Sequence, residues 1–335
     1  MQMFLSMLLA LALVGCSDDA TPPDFGYPLD DELRFNHIQM KGTHNSYHVE
    51  PPDAIEFYRY THAPLYEQAA TQGVRQFELD VHIPEGGGPL EVFHVPFIDE
   101  VSTCPLFRDC LLQLKGWSDA HPGHHPIVVM IEPKDDIDKE KFAGRVTAID
   151  EEILAIWPRE RLLVPDDVRR DGLTLAESVE QFGWPTLGEV RGRAVFVLLD
   201  SGDAREEYTN QGETLEGRVM FANYLPPHPL AAIMLMDKPI ERHTEIQATV
   251  AKNYIVRTRA DADSGGEDFD PARPVSALTS GAQMLSTDFP VPGMRDDGYW
   301  LELTGGTPSR CNPVVAPPSC TPEAIESPQR LRPRD

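Results

Sequence analysis

The sequence predicts one α/β domain in which parallel strands close into a barrel. Residues 35–304 exceed the roughly 250 residues that eight βα units require. Along this stretch, short β-type runs alternate with helical segments, and the runs number eight. Polar residues end four of these runs, as expected where parallel strands meet at a barrel's carboxyl rim. Because βα succession is right-handed, the economical fold is a TIM-type (β/α)8 barrel with an irregular second half.

Two strands carry the clearest patterns. In residues 75–83 apolar side chains alternate with polar ones, and the polar set is Gln76, Glu78, Asp80 and His82. A barrel strand is normally apolar on both faces, so this polar face either serves a function or meets water. Residues 127–131 form a continuous apolar run, which predicts a strand buried on both faces and followed by Glu132.

The other elements rest on shorter patterns. Residues 90–95 are interpreted as the third strand, and this strand carries His94. The predicted strands are 35–41, 75–83, 90–95, 127–131, 194–199, 219–224, 254–259 and 283–287. The predicted helices are 64–72, 106–120, 138–157, 175–182 and 241–252.

Both ends of the chain fall outside the predicted barrel. The apolar run 4–14 has signal-peptide length and leads into Leu13-Val14-Gly15-Cys16. This ending resembles a bacterial lipoprotein lipobox, although no Lys or Arg precedes the run; the alternative is a chance cysteine. The resemblance implies a signal peptide over 1–16, a lipidated Cys16, a tether over 17–34, and a protein exported and lipid-anchored to the bacterial cell envelope. Residues 305–335 form a Pro-rich tail, interpreted as a loop with a loose end.

Four further cysteines remain. An even number in an oxidising compartment predicts a disulfide framework. Their closeness in sequence predicts the pairs Cys104–Cys110 and Cys311–Cys320. Their spacing does not match a zinc site.

Charge and missing motifs exclude several functions. The formal net charge is −25, so the surface repels nucleic acid and anionic bilayers. The chain has no Gly-x-Ser-x-Gly elbow, which disfavours acyl transfer. We expect a monomer with no nucleic-acid partner.

Four segments concentrate the chemistry: His44-Asn45-Ser46-Tyr47, Glu78-Leu79-Asp80, His94 and Glu132. Their order and spacing resemble the catalytic strand ends of calcium-dependent phosphatidylinositol-specific phospholipases C, especially the bacterial secreted branch. The resemblance implies a phospholipase C-like phosphodiesterase barrel. It further implies that diacylglycerol and a cyclic inositol phosphate are released, with His44 and His94 as the catalytic pair.

The same resemblance implies one Ca²⁺ ion, held by Asn45, Glu78, Asp80 and Glu132. Three carboxylates and an amide are oxygen ligands of the kind that calcium prefers. The alternative is that Arg75 or Lys134 neutralises these carboxylates and no metal binds.

Further residues are candidates for contacts with the substrate. They are Lys134, Arg257, Arg259 and Asp288. The alternatives are that Lys134 is an ordinary surface residue and that the two arginines form ion pairs with the nearby Asp261 and Asp263. His48 and His82 are expected near the site without a catalytic role. His124 and His125 are expected to be solvated, in a loop on the amino side of the fourth strand.

Three other functions remain open. A glycerophosphodiester phosphodiesterase would use a similar barrel, but Asn45 stands where that family usually has Arg. A metal-independent phospholipase would leave the three carboxylates without a purpose. A non-catalytic calcium-binding surface lipoprotein would not need the two histidines.

Overall fold

The computed structural model describes residues 23–52, 54–55, 58–82, 84, 88–134, 145–261, 269–303, 305 and 308–333. Within these residues ten strands follow one another: β1 Ile38–Thr43, β2 Val74–His82, β3 Glu91–Val92, β4 Ile127–Pro133, β5 Ala194–Leu198, β6 Met220–Ala222, β7 Ile233–Leu235, β8 Ile255–Arg259, β9 Met284–Thr287 and β10 Ser309–Cys311. The main pairing order is β6-β5-β4-β2-β1-β9-β8-β7. All pairs in this order are parallel, and β6 approaches β7. The predicted parallel barrel is therefore confirmed. It is nearly closed, between β6 and β7.

The central strands are buried as their patterns indicate. β4 is apolar and buried along its first five residues, Ile127 to Ile131. All nine residues of β2 are buried, so its polar face points into the barrel and does not meet bulk water. Burying polar groups costs free energy unless they find partners. The polar side chains on this face therefore need partners inside the barrel.

The predicted third strand is wrong. Of residues 90–95 only Glu91–Val92 is a strand, and it pairs antiparallel with the end of β2, outside the barrel. The missing barrel strand is β7, which was not predicted because it is only three residues long. The count of eight was right because one error compensated for the other.

Helices cover the outside of the barrel. In the described parts they are α1 Leu65–Thr71, α2 Phe107–Ala120, α3 Thr147–Ile156, α4 Pro165–Val168, α5 Leu175–Phe182, α6 Leu187–Val190, α7 Asp203–Tyr208, α8 His243–Val250, α9 Ala272–Ser280 and α10 Pro322–Ile325. The predicted helix 138–157 corresponds to α3, and its first part lies outside the described residues. None of the helices in the described ranges has the length and apolarity needed to cross a bilayer.

The carboxyl-terminal segment packs against the barrel, in contrast to the expected loose end. β10 pairs antiparallel with β1. Glu326 is buried and forms an ion pair with Arg75. The Nε2 atom of His125 lies 2.7 Å from the Ser309 hydroxyl. His124 and His125 are therefore fully buried, and their expected solvation is wrong because the tail covers them.

Both predicted disulfides are present. The Cα atoms are 5.2 Å apart in Cys104–Cys110 and 6.0 Å apart in Cys311–Cys320, within the ordinary range for this bond. The first bond joins the segment before α2 to the first turn of that helix, and the second closes the loop after β10.

Candidate active site

The predicted site residues gather at the carboxyl ends of the strands. His44 follows β1, Asp288 follows β9, and the two predicted arginines lie on β8. In the register of the sheet, Asp80 on β2 stands directly beside Glu132 on β4. Parallel strands place their carboxyl ends on one rim, so separate segments of sequence build one site.

Three carboxylates form the centre of this site. One ligand oxygen from each of Glu78, Asp80 and Glu132 lies within 4.8 Å of the others. Burial raises the pKa of Glu78 to about 7. Burial and the neighbouring Glu132 raise the pKa of Asp80 well above its usual value. A bound cation would relieve this crowding of negative charge.

Asn45 is adjacent in sequence to a residue that is hydrogen-bonded to Glu78. The next residue, Ser46, donates its N–H to the Glu78 carbonyl at 2.9 Å and accepts the Glu78 N–H on its hydroxyl at 2.8 Å. Asn45 has a φ of 42°, a conformation that Asn tolerates. Its side-chain oxygen and nitrogen are buried, and no hydrogen-bond partner reaches them from the residues that the structure describes. An unpaired buried amide is costly, so Asn45 and the carboxylates together fit a calcium ion.

Lys134 lies at the same rim and contacts two of the three clustered carboxylates. Its ammonium group lies 3.1 Å from Asp80 and 2.7 Å from Glu132. Burial lowers the pKa of Lys134, but the two carboxylates raise it overall. The alternative in which Lys134 neutralises these carboxylates is thus present in the structure. Arg75, the other candidate, pairs with Glu326 instead.

The two arginines of β8 also contact carboxylates. Arg257 pairs with Glu78 and lies 2.7 Å from Asp237. Arg259 lies 3.0 Å from Asp288. Both guanidinium groups are buried at the rim, where they offset part of the negative charge.

His44 stands between two carboxylates. Its Nδ1 lies 2.8 Å from Asp288, and its Nε2 lies 3.6 Å from Glu78. Burial lowers the pKa of His44, and the charges of Arg259 and Arg257 lower it further. A neutral ring whose Nδ1–H is donated to Asp288 has a lone pair on Nε2, directed to the carboxylate centre.

His94 is held by a carboxylate as well, although it lies in a turn and not on a strand. Its Nδ1 lies 3.0 Å from Asp99 Oδ2, and the same oxygen lies 3.0 Å from His48 Nε2. Burial raises the pKa of Asp99, but hydrogen bonds from His48 and His94 lower it overall. The ring of Tyr58 meets the His94 ring edge to face at 5.2 Å. Asp99 thus fixes the orientation of His94.

Two carboxylates that contact predicted site residues were not predicted from the sequence. They are Asp99, which contacts His94, and Asp237, which contacts Arg257. The alternative of an ion pair between Arg259 and Asp261 is present in the structure. Asp237 follows β7, so recognising that strand would have placed a carboxylate at its carboxyl end. His82 stacks on Phe93, consistent with a supporting position.

Solved structures with the same fold include calcium-dependent phospholipases C from two bacteria. The enzyme from Streptomyces antibioticus shares 20% identity, with a TM-score of 0.57, over 77% of this chain and 95% of that one. The phosphoinositol-specific enzyme from a Gram-negative Pseudomonas species, described in a myoinositol complex, shares 20% identity, with a TM-score of 0.59, over 79% and 94%. No curated protein sequence matches this chain.

A family model matches most of the sequence. The family model described as phosphoinositide phospholipase C, Ca²⁺-dependent, matches residues 33–91 and 88–313. These ranges include all ten described strands and every candidate catalytic or metal-binding residue at the rim. The chain therefore belongs to the calcium-dependent phosphoinositide phospholipase C family.

Proposed function

We propose that the protein cleaves phosphatidylinositol-type lipids with His44, His94 and one calcium ion. Family membership makes it a phosphodiesterase that acts on phosphoinositides. The proposal adds the residues, the number of ions and the products. One observation carries it: Nε2 of His44 lies 3.6 Å from Glu78, which belongs to the cluster of three carboxylates.

Asn45, Glu78, Asp80 and Glu132 would hold the ion. The chemistry that calcium supplies when bound is charge neutralisation at the phosphate oxygens and acidification of a nearby hydroxyl. These four residues would leave positions open for substrate oxygens, since calcium accepts six to eight ligands. Lys134 would give up its present contacts to Asp80 and Glu132.

The two histidines would move the protons of the reaction. The inositol 2-hydroxyl oxygen forms a bond to phosphorus, and the bond from phosphorus to the glycerol oxygen breaks. One imidazole accepts the hydroxyl proton, and the other donates a proton to the departing diacylglycerol. Asp288 and Asp99 orient the rings through Nδ1, which leaves Nε2 of each ring for this task. The products are diacylglycerol and a cyclic inositol phosphate.

An apolar turn beside His94 supports a lipid substrate. Phe97 is 96% exposed and Ile98 is 62% exposed. Phe97 has a φ of 66°, which costs free energy for an aromatic residue. The fold gains little from an exposed ring in this conformation. A bilayer surface next to the site would bury both side chains.

Export and anchoring at Cys16 are part of the proposal, together with a monomeric state. Cys16 lies outside the described residues. The two disulfides support an oxidising compartment. Metabolic labelling with a fatty acid should label the wild-type protein and not Cys16→Ala, and sedimentation should give the mass of one chain.

The test of catalysis is diacylglycerol release from phosphatidylinositol vesicles by the soluble chain starting at Ser17. We expect release with calcium, little with a chelator, and a loss of about 10²-fold or more in His44→Ala and His94→Ala. His121→Ala is the matched control, because His121 follows α2 and contacts Trp117, at the amino end of the barrel.

Calcium binding should be measured separately by calorimetry. Glu78→Gln, Asp80→Asn and Glu132→Gln should each weaken binding, whereas His94→Ala should not. Cleavage of glycerophosphocholine without release from phosphatidylinositol would contradict the proposal and favour a glycerophosphodiester phosphodiesterase. Full activity in chelator would contradict the role of calcium.

A further inference from the structure

We propose that, when this protein is anchored through Cys16, its active site faces away from the anchoring membrane and hydrolyses lipids of an opposing one. The inference rests on the proposed function, since it concerns which bilayer supplies the substrate. It depends on where the amino-terminal segment leaves the barrel.

The amino-terminal segment is fastened to the barrel from Phe25 onward. Phe25 and Tyr27 are buried. The guanidinium group of Arg191 lies 3.4 Å from the centre of the Tyr27 ring. Asp30 accepts hydrogen bonds from Nε of Arg191 at 2.9 Å and from its terminal nitrogen at 2.6 Å. A planar bidentate pair of this kind fixes geometry strongly.

These contacts lie at the amino ends of the strands. Arg191 precedes β5, and Gly123 precedes β4. Arg191 donates a hydrogen bond to the Gly123 carbonyl at 3.0 Å. A Cβ atom on Gly123 would lie 2.8 Å from the Phe25 ring. Phe25 is therefore beneath the amino ends of β4 and β5, whereas Glu132 lies at the carboxyl end of β4, on the opposite face.

The contacts continue along the same face up to the first strand. Leu187 donates to the carbonyl of Leu33 at 2.7 Å, and Phe35 donates to the carbonyl of Pro185 at 3.1 Å. Tyr27 accepts the N–H of Ser327 at 3.1 Å. Hydrogen bonds and burial along this stretch oppose its detachment, so the attachment point stays on the face opposite the site.

The chain before Phe25 is too short to reverse this orientation. Phe25 is nine residues after Cys16, and nine residues span at most about 30 Å. A globular domain of this length is roughly 50 Å across. To place the rim on the anchoring bilayer, the tether would have to pass outward and then along the full height of the barrel, on the order of 60 Å. The site therefore faces a different bilayer, with the Phe97 turn directed toward it.

The experiment uses the mature chain from Cys16, whose other four cysteines are paired in disulfides. Cys16 is coupled to maleimide lipids in vesicles. In the cis format these vesicles also contain phosphatidylinositol. In the trans format the phosphatidylinositol is in separate vesicles without maleimide lipid. Release of inositol phosphate is measured in both formats, together with the uncoupled enzyme on the same vesicles.

We expect trans hydrolysis that rises with the concentration of the substrate vesicles, and cis hydrolysis about tenfold or more below it per accessible lipid. Without the constraint, cis would be the faster format because tethering raises effective concentration. Inserting about 40 Gly/Ser residues between Pro23 and Asp24 gives a span of roughly 35 Å and a much longer full extension. This variant should gain cis hydrolysis.

The possible outcomes distinguish a failure of the proposed orientation from a failure of the proposed function. Cis hydrolysis by the short tether equal to that of the long tether overturns the orientation alone. No hydrolysis in any format, including by the uncoupled enzyme, overturns the proposed function and the orientation with it.

Discussion

Lys134 places an ammonium group against two of the three clustered carboxylates. Its contacts of 3.1 Å to Asp80 and 2.7 Å to Glu132 compete with any cation that these groups bind. We expect Lys134→Met to bind calcium about tenfold or more tightly, because a unit charge at such distances is worth several kcal/mol before screening and desolvation, by order of magnitude. Titration calorimetry measures the affinity.

The control for Lys134 is Lys115→Met. It removes the same charge from the surface pair of Lys115 and Asp119, so calcium affinity should not change. Equal affinity in Lys134→Met and the wild type would mean that the ammonium group does not oppose the ion. Weaker binding in the variant would contradict the competition outright.

Asp99 is predicted to act through His94. Asp99→Asn keeps the shape of the side chain but weakens its hold on Nδ1 of His94 and on Nε2 of His48. We expect kcat to fall about 10²-fold, with KM and calcium affinity within about twofold, since ring orientation and charge balance serve the chemical step. Stopped-time vesicle assays and calorimetry measure these quantities. A loss confined to KM would contradict a positioning role.

The sequence identified site residues where a polar side chain occupies a position that is normally apolar. Glu78 and Asp80 stood out because a barrel strand is seldom polar on one face. Asp99 could not be found this way, because a carboxylate in a turn is ordinary. Its role depends on the folded turn, where Asp99 and Val95 exchange backbone hydrogen bonds and bring the carboxylate to His94.

Among the structural elements, the turn at residues 95–99 is the one predicted to contact the bilayer. The double variant Phe97→Ser/Ile98→Ser should lose about tenfold or more activity on vesicles, since burying one such side chain contributes about 1.5–3 kcal/mol at full burial. Activity on a soluble short-chain phosphatidylinositol should remain within about twofold. The matched control is Val275→Ser, an exposed apolar residue of α9. An equal loss of activity on both substrates would indicate that the variant disturbs His94, and it would contradict a role in membrane contact.

Periodicity in the sequence predicts the long strands but not the short ones. β2 and β4 are long and buried, so alternation and continuous apolar character identified them. β7 has three residues, too few for any period to be evident. Residues 90–95 have β-type composition, but only Glu91–Val92 forms a strand, because β3 pairs only with the last two residues of β2. Local patterns cannot distinguish an edge pairing from a barrel strand.

The carboxyl-terminal segment covers the amino-terminal end of the barrel and forms a buried cluster of ionisable residues there. It comprises Arg75, Glu326, His124 and His125, and the ion pair joins residues 251 positions apart. Composition predicted a loose tail because this segment is rich in proline. A partner so distant in sequence leaves no local signal, although a lone arginine on a buried strand is itself a sign that a carboxylate is needed.

This cluster makes stability depend on acidity. Burial alone would raise the pKa of Glu326, but Arg75 and His125 lower it to about 2. Glu326 therefore contributes stability above pH 4.5 that is lost as pH falls toward 2. Burial lowers the pKa of His125 to about 4. A buried neutral histidine likewise contributes stability above pH 6.5 that is lost as pH falls toward 4.

The two shifts have the same sign, so the free energy of unfolding should fall steadily from pH 6.5 to pH 2. A change in pKa from 4.5 to about 2, or from 6.5 to about 4, corresponds to roughly 3 kcal/mol. Urea denaturation at a series of pH values measures the slope. His125→Gln should flatten it between pH 6.5 and 4, and Glu326→Gln between pH 4.5 and 2, whereas His121→Gln in the same loop should leave it unchanged. Slopes identical in all four proteins would show that the buried cluster does not control acid stability.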